Sequence, residues 1–213
     1  MERWATFDCY GTLVDWNTGI RGELARIFGE DEADAKLAAY HEIEPAIEHG
    51  EPSLTYREVM ARVLDRLGAP SEERDALGAS LPSWPVFPEV PSTLEQARAR
   101  GWRLCILSNT DRDFIDASMA AIGVPFDNAI VASEIGSYKP AHGHWRAFED
   151  EVGRLPDVHV AASLFHDVAP TSELGVPCFW VNRLEESSEG YAPARELRTL
   201  NGLAEALDDL VAA

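Results

Sequence analysis

The sequence predicts an α/β protein, in which a Rossmann-like, doubly wound parallel sheet carries an all-helical cap inserted after its first strand. Short runs rich in apolar, β-branched and aromatic residues alternate with longer segments of helical periodicity, which is typical of β-α-β units. A long stretch with only helical patterns separates the first of these runs from the second. We therefore expect residues 1–14 and 89–213 to form the core and residues 15–88 to form the cap.

Five segments are predicted as strands of the core. Because their apolar runs are nearly continuous, they indicate parallel strands that are buried on both faces. The predicted strands are residues 4–9, 103–107, 129–132, 159–164 and 178–181. Helices are predicted at residues 91–100 and 111–122, since each segment precedes a glycine, Gly101 or Gly123, that can end a helix.

The predicted cap contains four helices and no strand. Apolar residues recur at helical spacing in residues 18–28, 32–49, 55–67 and 71–81, and a proline-rich stretch, LPSWPVFPEVP, follows. Because the cap is inserted after the first strand, it would lie above the carboxyl ends of the strands, where open α/β sheets bind ligands. The sequence thus predicts a ligand site between cap and core.

Charge and apolar patterning restrict the classes of partner. The 213 residues include 18 Lys and Arg against 37 Asp and Glu, for a formal net charge of −19. So acidic a surface repels phosphate backbones, and a nucleic-acid partner is not expected. No apolar run approaches the roughly 20 residues of a membrane span, which predicts a cytoplasmic protein without a membrane partner. Cys9, Cys105 and Cys178 each lie in an apolar run and are predicted to be reduced core thiols.

The first predicted strand ends in a candidate nucleophile. Asp8 follows an apolar run, and Gly11 and Thr12 come shortly after it. A carboxylate at this place is exposed at the ligand edge of the sheet and lies close to backbone N–H donors. The same residue could instead cap the turn that follows, and this spacing alone leaves both interpretations open.

Polar residues also end the second predicted strand, at Ser108, Asn109 and Thr110. Such short side chains can bind a substrate carboxylate or a leaving group, or they can cap the helix that begins near Asp111. Considered without the other motifs, these residues favour the capping interpretation.

A lysine and a second acid follow later strands. Lys139 precedes a proline in a loop, and it is predicted to pair with an acid, to stabilise a reacting carboxylate, or to do both. Asp167 ends the fourth predicted strand. It could orient Lys139, position a water molecule or bind a metal, since two carboxylates at one edge also suit Mg²⁺.

Taken in order, these motifs resemble those of the haloacid dehalogenase superfamily, and in detail those of its type II 2-haloacid dehalogenases. The resemblance to the dehalogenase branch rests mainly on Tyr10. Phosphatases of the superfamily usually carry a second Asp at this place, which protonates a leaving alcohol, whereas a leaving halide needs no proton. The matching segments are Asp8-Cys9-Tyr10-Gly11-Thr12, Leu107-Ser108-Asn109, Tyr138-Lys139-Pro140 and residues 163–167.

The resemblance implies hydrolysis of (S)-2-haloacids to (R)-2-hydroxy acids without a required cofactor. Asp8 would displace the halide and form an ester, and water near Lys139 and Asp167 would hydrolyse it. Thr12 would orient the nucleophile, and Lys139 would favour its charged form. The resemblance also implies a homodimer.

The same resemblance suggests how a small 2-halocarboxylate would bind. Ser108 and backbone N–H groups near Tyr10 and Gly11 would hold its carboxylate, and Asn109 would contribute to the halide pocket. His41 lies near the place of a halide-binding cap Arg, and an acidic protein would favour its protonated form. Otherwise His41 is an exposed residue of a cap helix.

Two other functions remain open at this stage. One is a phosphatase-like hydrolase of a small phosphate ester, with Mg²⁺ held by Asp8 and Asp167. The other is a protein that has lost turnover and binds a small acid or a partner protein.

Overall fold

The computed structural model describes residues 2–212, and a six-stranded parallel sheet forms the centre of this part of the chain. In chain order the strands are β1 (Arg3–Phe7), β2 (Trp102–Ser108), β3 (Asn128–Val131), β4 (Val158–Ala161), β5 (Cys178–Val181) and β6 (Arg195–Leu197). Their spatial order is β3-β2-β1-β4-β5-β6, and every neighbouring pair is parallel.

The direction in which the strands are added reverses beside β1. The chain runs outward from β1 through β2 to β3, and then crosses to the other side for β4. In doubly wound sheets such a reversal opens a crevice at the carboxyl ends of the strands. Phe7 of β1 is aligned with Val160 of β4, so Asp8 emerges directly at this crevice.

The described residues form ten α-helices, all of which follow β1 in the chain. Four lie between β1 and β2 in the predicted cap region and a fifth leads into β2. They are α1 (Trp16–Phe28), α2 (Ala33–Gly50), α3 (Tyr56–Leu67), α4 (Ala76–Ser80), α5 (Val90–Ala99), α6 (Arg112–Ile122), α7 (Ala132–Ile135), α8 (Gly143–Val152), α9 (Ala169–Leu174) and α10 (Leu203–Ala212).

The predicted α/β fold class is confirmed, and the five predicted strands are present, four with shifted ends and the strand at 178–181 with the predicted bounds. The prediction of a strand through residue 164 is wrong, because β4 ends at Ala161 and Leu164–Val168 forms a π-helical turn. The hydroxyl of Ser163 begins this turn by accepting the backbone N–H of His166 at 3.0 Å. β6, α7, α9 and α10 were not predicted, and β6 is only three residues long.

The cap helices are confirmed except for the last. Residues 71–81 do not form one helix, because α4 lies between two single 3₁₀ turns, Ser71–Glu73 and Leu81–Ser83. Pro82 fits the first turn of a short helix but would interrupt the interior of a longer one. Gly101 and Gly123 follow α5 and α6 as predicted, with φ of 85° and 74°.

The central strands of the sheet are buried on both faces, as the continuous apolar runs predicted, whereas no residue of the edge strand β6 is buried. All residues of β4 and β5 are buried, and β2 exposes only Arg103. The three cysteines are buried and free, which confirms the predicted thiols. No helix in the described residues 2–212 is both long and apolar enough to span a membrane.

The cap region is tied to the sheet by polar contacts. The Asp111 carboxylate accepts the backbone N–H groups of Tyr56 and Arg57, both at 2.9 Å, and so caps the start of α3. The Tyr138 hydroxyl donates to the Leu54 carbonyl at 2.9 Å. These bonds hold α3 above the carboxyl ends of the strands, while the division into two domains stays a prediction.

Candidate active site

A cavity of about 210 Å³ lies where the strand ends meet the helices of the cap region. It brings together most of the predicted site residues from four separate strand ends and one cap helix. Its lining residues are Asp8, Tyr10, Trp16, His41, Glu44, Pro45, Glu48, Tyr56, Ser108, Asn109, Lys139, Ser163, His166 and Asp167.

Asp8 is held by one hydrogen bond to each carboxylate oxygen. Thr12 Oγ1 donates to Oδ2 at 2.8 Å, and Lys139 Nζ donates to Oδ1 at 2.9 Å. The Thr12 hydroxyl in turn accepts the backbone N–H of Ala162 at 2.9 Å. The carboxylate is therefore fixed in orientation at the edge of the cavity, as a nucleophile requires. Thr12 supports Asp8 from below and does not line the cavity.

Lys139 bridges the two acids. Its ammonium donates to Asp8 at 2.9 Å, to Asp167 Oδ1 at 2.7 Å and to the Leu107 carbonyl at 2.9 Å, and the side chain is 2% exposed. Burial alone would lower the pKa of Lys139, but the charges of Asp167 and Asp8 outweigh it and raise the pKa above its usual range. Both roles predicted for this lysine, ion pairing and stabilisation of a carboxylate, fit this geometry.

Asp167 lies in the π-helical turn and is almost fully buried. Its Oδ1 accepts bonds from Lys139 and from His159 Nε2 at 2.9 Å, and Thr6 Oγ1 lies 2.8 Å from the other ring nitrogen of that histidine. Burial would raise the pKa of Asp167, but the neighbouring Lys139 and His159 lower it instead. Within residues 2–212 its Oδ2 has no hydrogen-bond partner, which leaves this oxygen available to a water molecule or ligand.

Replacement of His159 by phenylalanine tests this support. Since the variant removes a donor from a buried carboxylate, we expect the free energy of unfolding to fall by about 1–3 kcal/mol in urea at pH 7. His159→Gln should recover part of the loss, because its amide can donate to Asp167. The same change at half-buried His142, whose ring bonds an exposed Glu173 carboxylate, serves as the control. A His159→Phe variant as stable as wild type would contradict the assigned contact.

The polar residues at the end of β2 do not cap the next helix. This contradicts the capping interpretation, which these residues favour when the other motifs are left aside. No side-chain cap begins α6, and in the described structure the hydroxyls of Ser108 and Thr110 have no partner. Asn109 instead fixes Lys139, since its Oδ1 accepts the Lys139 backbone N–H at 2.6 Å and its Nδ2 donates to the Lys139 carbonyl at 3.1 Å. Ser108 thus lines the cavity with a hydroxyl that no described residue bonds, while Asn109 positions the lysine.

The expectation for the Gly11 backbone is wrong. Its N–H donates to the Val14 carbonyl at 2.8 Å and is not available to a substrate, and Gly11 does not line the cavity. Its φ of 89° explains why glycine occupies this turn. Tyr10 does line the cavity, and its hydroxyl lies 3.0 Å from Ser118 Oγ.

His41 lines the cavity, so the alternative of an exposed cap residue is wrong. Its ring packs against Trp16 with centroids 5.0 Å apart. The expected protonation is also wrong, because burial lowers the pKa of His41 and favours the neutral ring. With His41 neutral, the positive charge at the cavity comes from Lys139. It is the only Lys or Arg among the described lining residues, and both of its acidic partners belong to the site.

Two glutamates of α2 in the cavity were not predicted. Glu44 and Glu48 are 4% and 3% exposed, and burial raises the pKa of Glu44 to about 7 and that of Glu48 well above its usual range. The sequence signal was present, since Tyr40, Glu44 and Glu48 recur at a spacing of four residues on one helix face. However, the sequence of a cap helix does not indicate which of its faces lies toward the strand ends.

The site does not fit the Mg²⁺ alternative. The Lys139 ammonium lies between Asp8 and Asp167, where a cation would have to bind both carboxylates. Residues 2–212 contain no group of three or more His, Cys, Asp or Glu side chains arranged to hold a metal ion. Tyr10 also lacks the carboxylate that a metal-dependent phosphatase would place there.

A family comparison matches most of the chain. A model of the haloacid dehalogenase-like hydrolases matches residues 3–162. The chain is 23% identical to (S)-2-haloacid dehalogenase 4A of Burkholderia cepacia, over 98% of this chain and 93% of that protein. It is 30% identical to (S)-2-haloacid dehalogenase of Pseudomonas sp. (strain YL), but this match covers only 56% of this chain and 53% of the relative.

Solved structures share the fold. The crystal structure of the L-2-haloacid dehalogenase RSc1362 superposes with a TM-score of 0.83 at 21% identity, covering 97% of this chain and 99% of the other. The L-2-haloacid dehalogenase from Xanthobacter autotrophicus with chloropropionic acid covalently bound gives a TM-score of 0.80 at 20% identity, covering 98% and 99%. At these identities the similarity establishes the fold alone.

Proposed function

Since this chain belongs to the haloacid dehalogenase-like hydrolases, we propose that it hydrolyses the carbon–halogen bond of a small (S)-2-haloacid and releases the (R)-2-hydroxy acid. The observation that carries the proposal is the oriented Asp8 carboxylate, held by Thr12 and Lys139 at the edge of a small cavity. Curated relatives named (S)-2-haloacid dehalogenases support the substrate class.

In the first step, a carboxylate oxygen of Asp8 attacks C2 from the side opposite the halogen. A C–O bond forms as the C–X bond breaks, and the configuration at C2 inverts. Ser108 lines the cavity, and its hydroxyl, which has no partner in the described part of the chain, is available to the substrate carboxylate. Thr12 and Lys139 keep the nucleophile aligned through their hydrogen bonds, which lowers the entropic part of the barrier.

In the second step, water attacks the carbonyl carbon of the Asp8 ester. Asp167 lines the cavity, and its Oδ2, which has no partner within residues 2–212, can accept a hydrogen bond from that water. Lys139, bonded to both acids, stabilises the negative charge that develops on the ester oxygen. The C2–O bond stays intact, so the product keeps the inverted configuration and Asp8 is regenerated.

The proposed reaction requires no metal and no organic cofactor. A phosphate ester would need a proton donor at the place of Tyr10 and a metal near Asp8, and neither the phenol nor the Lys139 bridge suits these tasks. A homodimer, which the resemblance implies, stays a prediction.

Halide release tests the proposed function. Chloroacetate, bromoacetate, fluoroacetate and (S)-2-chloropropionate are supplied with and without EDTA, and free halide is measured. We expect release from at least one substrate, at rates that EDTA does not change, and (R)-lactate from the chloropropionate. A panel of phosphate monoesters with added Mg²⁺ serves as the comparison. Phosphate release that depends on Mg²⁺, with no halide release, would contradict the proposal.

A further inference from the structure

Two buried glutamates line the same cavity as Asp8 and have no role in the steps above. Glu44 and Glu48 lie one turn apart on one face of α2 and are 4% and 3% exposed. A buried carboxylate is costly unless a cation pairs with it. The cation among the described lining residues, the Lys139 ammonium, already bonds Asp8 and Asp167. Within residues 2–212 the pair of glutamates is therefore without a cation of its own.

The hydrogen bonds prepare Glu44 to be a carboxylate. Its Oε1 accepts O–H bonds from Tyr56 at 2.6 Å and from Tyr40 at 3.3 Å, and both bonds stabilise the anion. Burial raises the pKa of Glu44 to about 7, so its ionisation near neutral pH costs little. Burial and the charge of Glu44 hold the pKa of Glu48 well above its usual range. A cation beside the pair would favour the ionised form of both glutamates.

The pair lies next to the group that holds the nucleophile. Glu48 Oε2 accepts the Asn109 side-chain amide at 3.2 Å, and the same amide nitrogen donates to the Lys139 carbonyl at 3.1 Å. Lys139 Nζ in turn lies 2.9 Å from Asp8 Oδ1. Because all these residues line one cavity of about 210 Å³, a ligand that fills it contacts the glutamates as well as the nucleophile.

Other groups in the cavity indicate that a ligand completes it. The Ser108 hydroxyl is buried and has no partner in the described part of the chain. The rings of Tyr10, Trp16 and Tyr56 line the same cavity, and aromatic rings attract cations. His41, where a cationic side chain was expected, is a neutral ring because burial lowers its pKa. The cavity is thus suited to a ligand that brings its own positive charge.

We infer that the substrate is a 2-haloacid that also carries an ammonium group, which binds at Glu44 and Glu48 while C2 faces Asp8. This inference rests on the proposed function and specifies its substrate. The ammonium supplies the cation that the two glutamates need, and the substrate carboxylate still binds at Ser108. A haloacid without an ammonium would bring only negative charge to a cavity whose described lining includes four carboxyl groups and one lysine.

Matched pairs of substrates test the inference. (S)-3-Amino-2-chloropropionate is compared with (S)-2-chlorobutanoate, and (S)-4-amino-2-chlorobutanoate with (S)-2-chloropentanoate, so that each pair differs by an ammonium in place of a methyl group. Rates without protein are subtracted. We expect kcat/KM for chloride release to be at least about tenfold higher for the amino member of one pair or both, as a hydrogen bond between charged groups would give.

Two variants assign this preference to the glutamates. Glu44→Gln and Glu48→Gln remove a carboxylate, while the glutamine oxygen can still accept the bonds from the tyrosines or from Asn109. We expect each variant to lower the amino-to-alkyl ratio of kcat/KM by roughly 10–10²-fold. Glu42→Gln on the exposed side of α2 removes the same charge and should leave the ratio unchanged. A structural role of the glutamates would lower both rates and keep their ratio.

A further measurement uses the wild-type protein, so the test does not depend on how the variants fold. The amino-to-alkyl ratio of the longer pair should rise from pH 6.5 to pH 8, because ionised Glu44 attracts the ammonium and repels the alkyl acid. An alkylammonium keeps its proton over this range, since its pKa is about 10. Burial lowers the pKa of His41 and of His166, so both rings are mostly neutral throughout.

Other groups near the pair could also titrate. The titratable or charged groups that face it or adjoin Glu48 are Asp8, Tyr40, His41, His49, Tyr56, Tyr138, Lys139, His166 and Asp167. Glu44→Gln should flatten the rise of the ratio with pH, whereas an effect of exposed His49 would persist in that variant.

Three results overturn this inference alone. They are a wild type that prefers neither amino substrate, a ratio in Glu44→Gln and Glu48→Gln equal to that in Glu42→Gln, and a wild-type ratio that does not rise with pH. If wild type releases halide from an alkyl or unsubstituted 2-haloacid in any of these cases, the proposed function stands. Absence of halide release from every amino, alkyl and unsubstituted haloacid overturns the proposed function and this inference with it.

Discussion

Asp8→Asn is expected to abolish halide release, with kcat lowered by at least roughly 10⁴-fold, because an amide oxygen cannot form the ester. The fold should persist. Thr12 can still donate to the side-chain oxygen, and Lys139 keeps its bond to Asp167. Halide release under saturating haloacid measures the effect, and circular dichroism with urea unfolding checks that the variant is folded.

Asp209→Asn is the matched control for the loss of one negative charge. Asp209 lies on α10, its side chain is 68% exposed, and its partner Arg195 is 3.5 Å away. Such an exposed pair contributes little, so we expect wild-type turnover and stability. Turnover by Asp8→Asn within tenfold of this control would contradict the role of Asp8 as the nucleophile.

Lys139→Met is expected to have the largest effect on stability. It leaves Asp8 and Asp167 without their common cation, and loss of one partner from a buried ion pair costs about 3–5 kcal/mol. The rate of halide release should also fall relative to wild type, by a factor on the order of 10²–10³, since charge on the ester oxygen is no longer stabilised. Urea unfolding at pH 7 and initial rates measure the two effects.

The stability deficit of Lys139→Met should depend on pH in a defined direction. In wild type the pKa of Asp167 is lowered, so its ion pair stabilises the fold above the ordinary carboxyl pKa and loses this contribution as the pH falls. In the variant the buried Asp167 carboxyl has lost that cation and takes up a proton more readily. The difference in unfolding free energy between the two proteins should therefore shrink from pH 7 to pH 5.

The other lysine supplies the control. Lys36 is 24% exposed, donates to the Leu67 carbonyl at 2.8 Å and lies over the ring of Phe28. We expect Lys36→Met to cost about 1 kcal/mol, with no change in turnover. Equal destabilisation by both substitutions would contradict the bridging role of Lys139.

The sequence predicted the parts of the site that depend on strand ends. Asp8, Ser108, Lys139 and Asp167 each follow an apolar run, and parallel strands carry such residues to one edge whatever the details of packing. The order of the runs and the helical insertion likewise predicted the fold class, because alternation of strand and helix patterns leaves few topologies.

Other parts of the site depend on contacts that a local pattern does not encode. In the sequence, His159 is indistinguishable from an ordinary strand residue. It supports Asp167 only because a π-helical turn places Asp167 Oδ1 at 2.9 Å from His159 Nε2. Glu44 and Glu48 lie on a cap helix, and their importance depends on which face α2 turns toward β1. The lowered pKa of His41 has the same origin, since burial in the assembled cavity outweighs the acidic composition of the chain.

The most direct test of the covalent mechanism is a single turnover in H₂¹⁸O with the protein in excess over (S)-2-chloropropionate. Water that attacks the Asp8 ester carbonyl leaves its oxygen on the carboxylate, so mass spectrometry of the peptide that contains Asp8 should show ¹⁸O and the lactate should show none. Label found in the lactate and absent from Asp8 would mean that water attacks C2 directly, and it would contradict the ester intermediate.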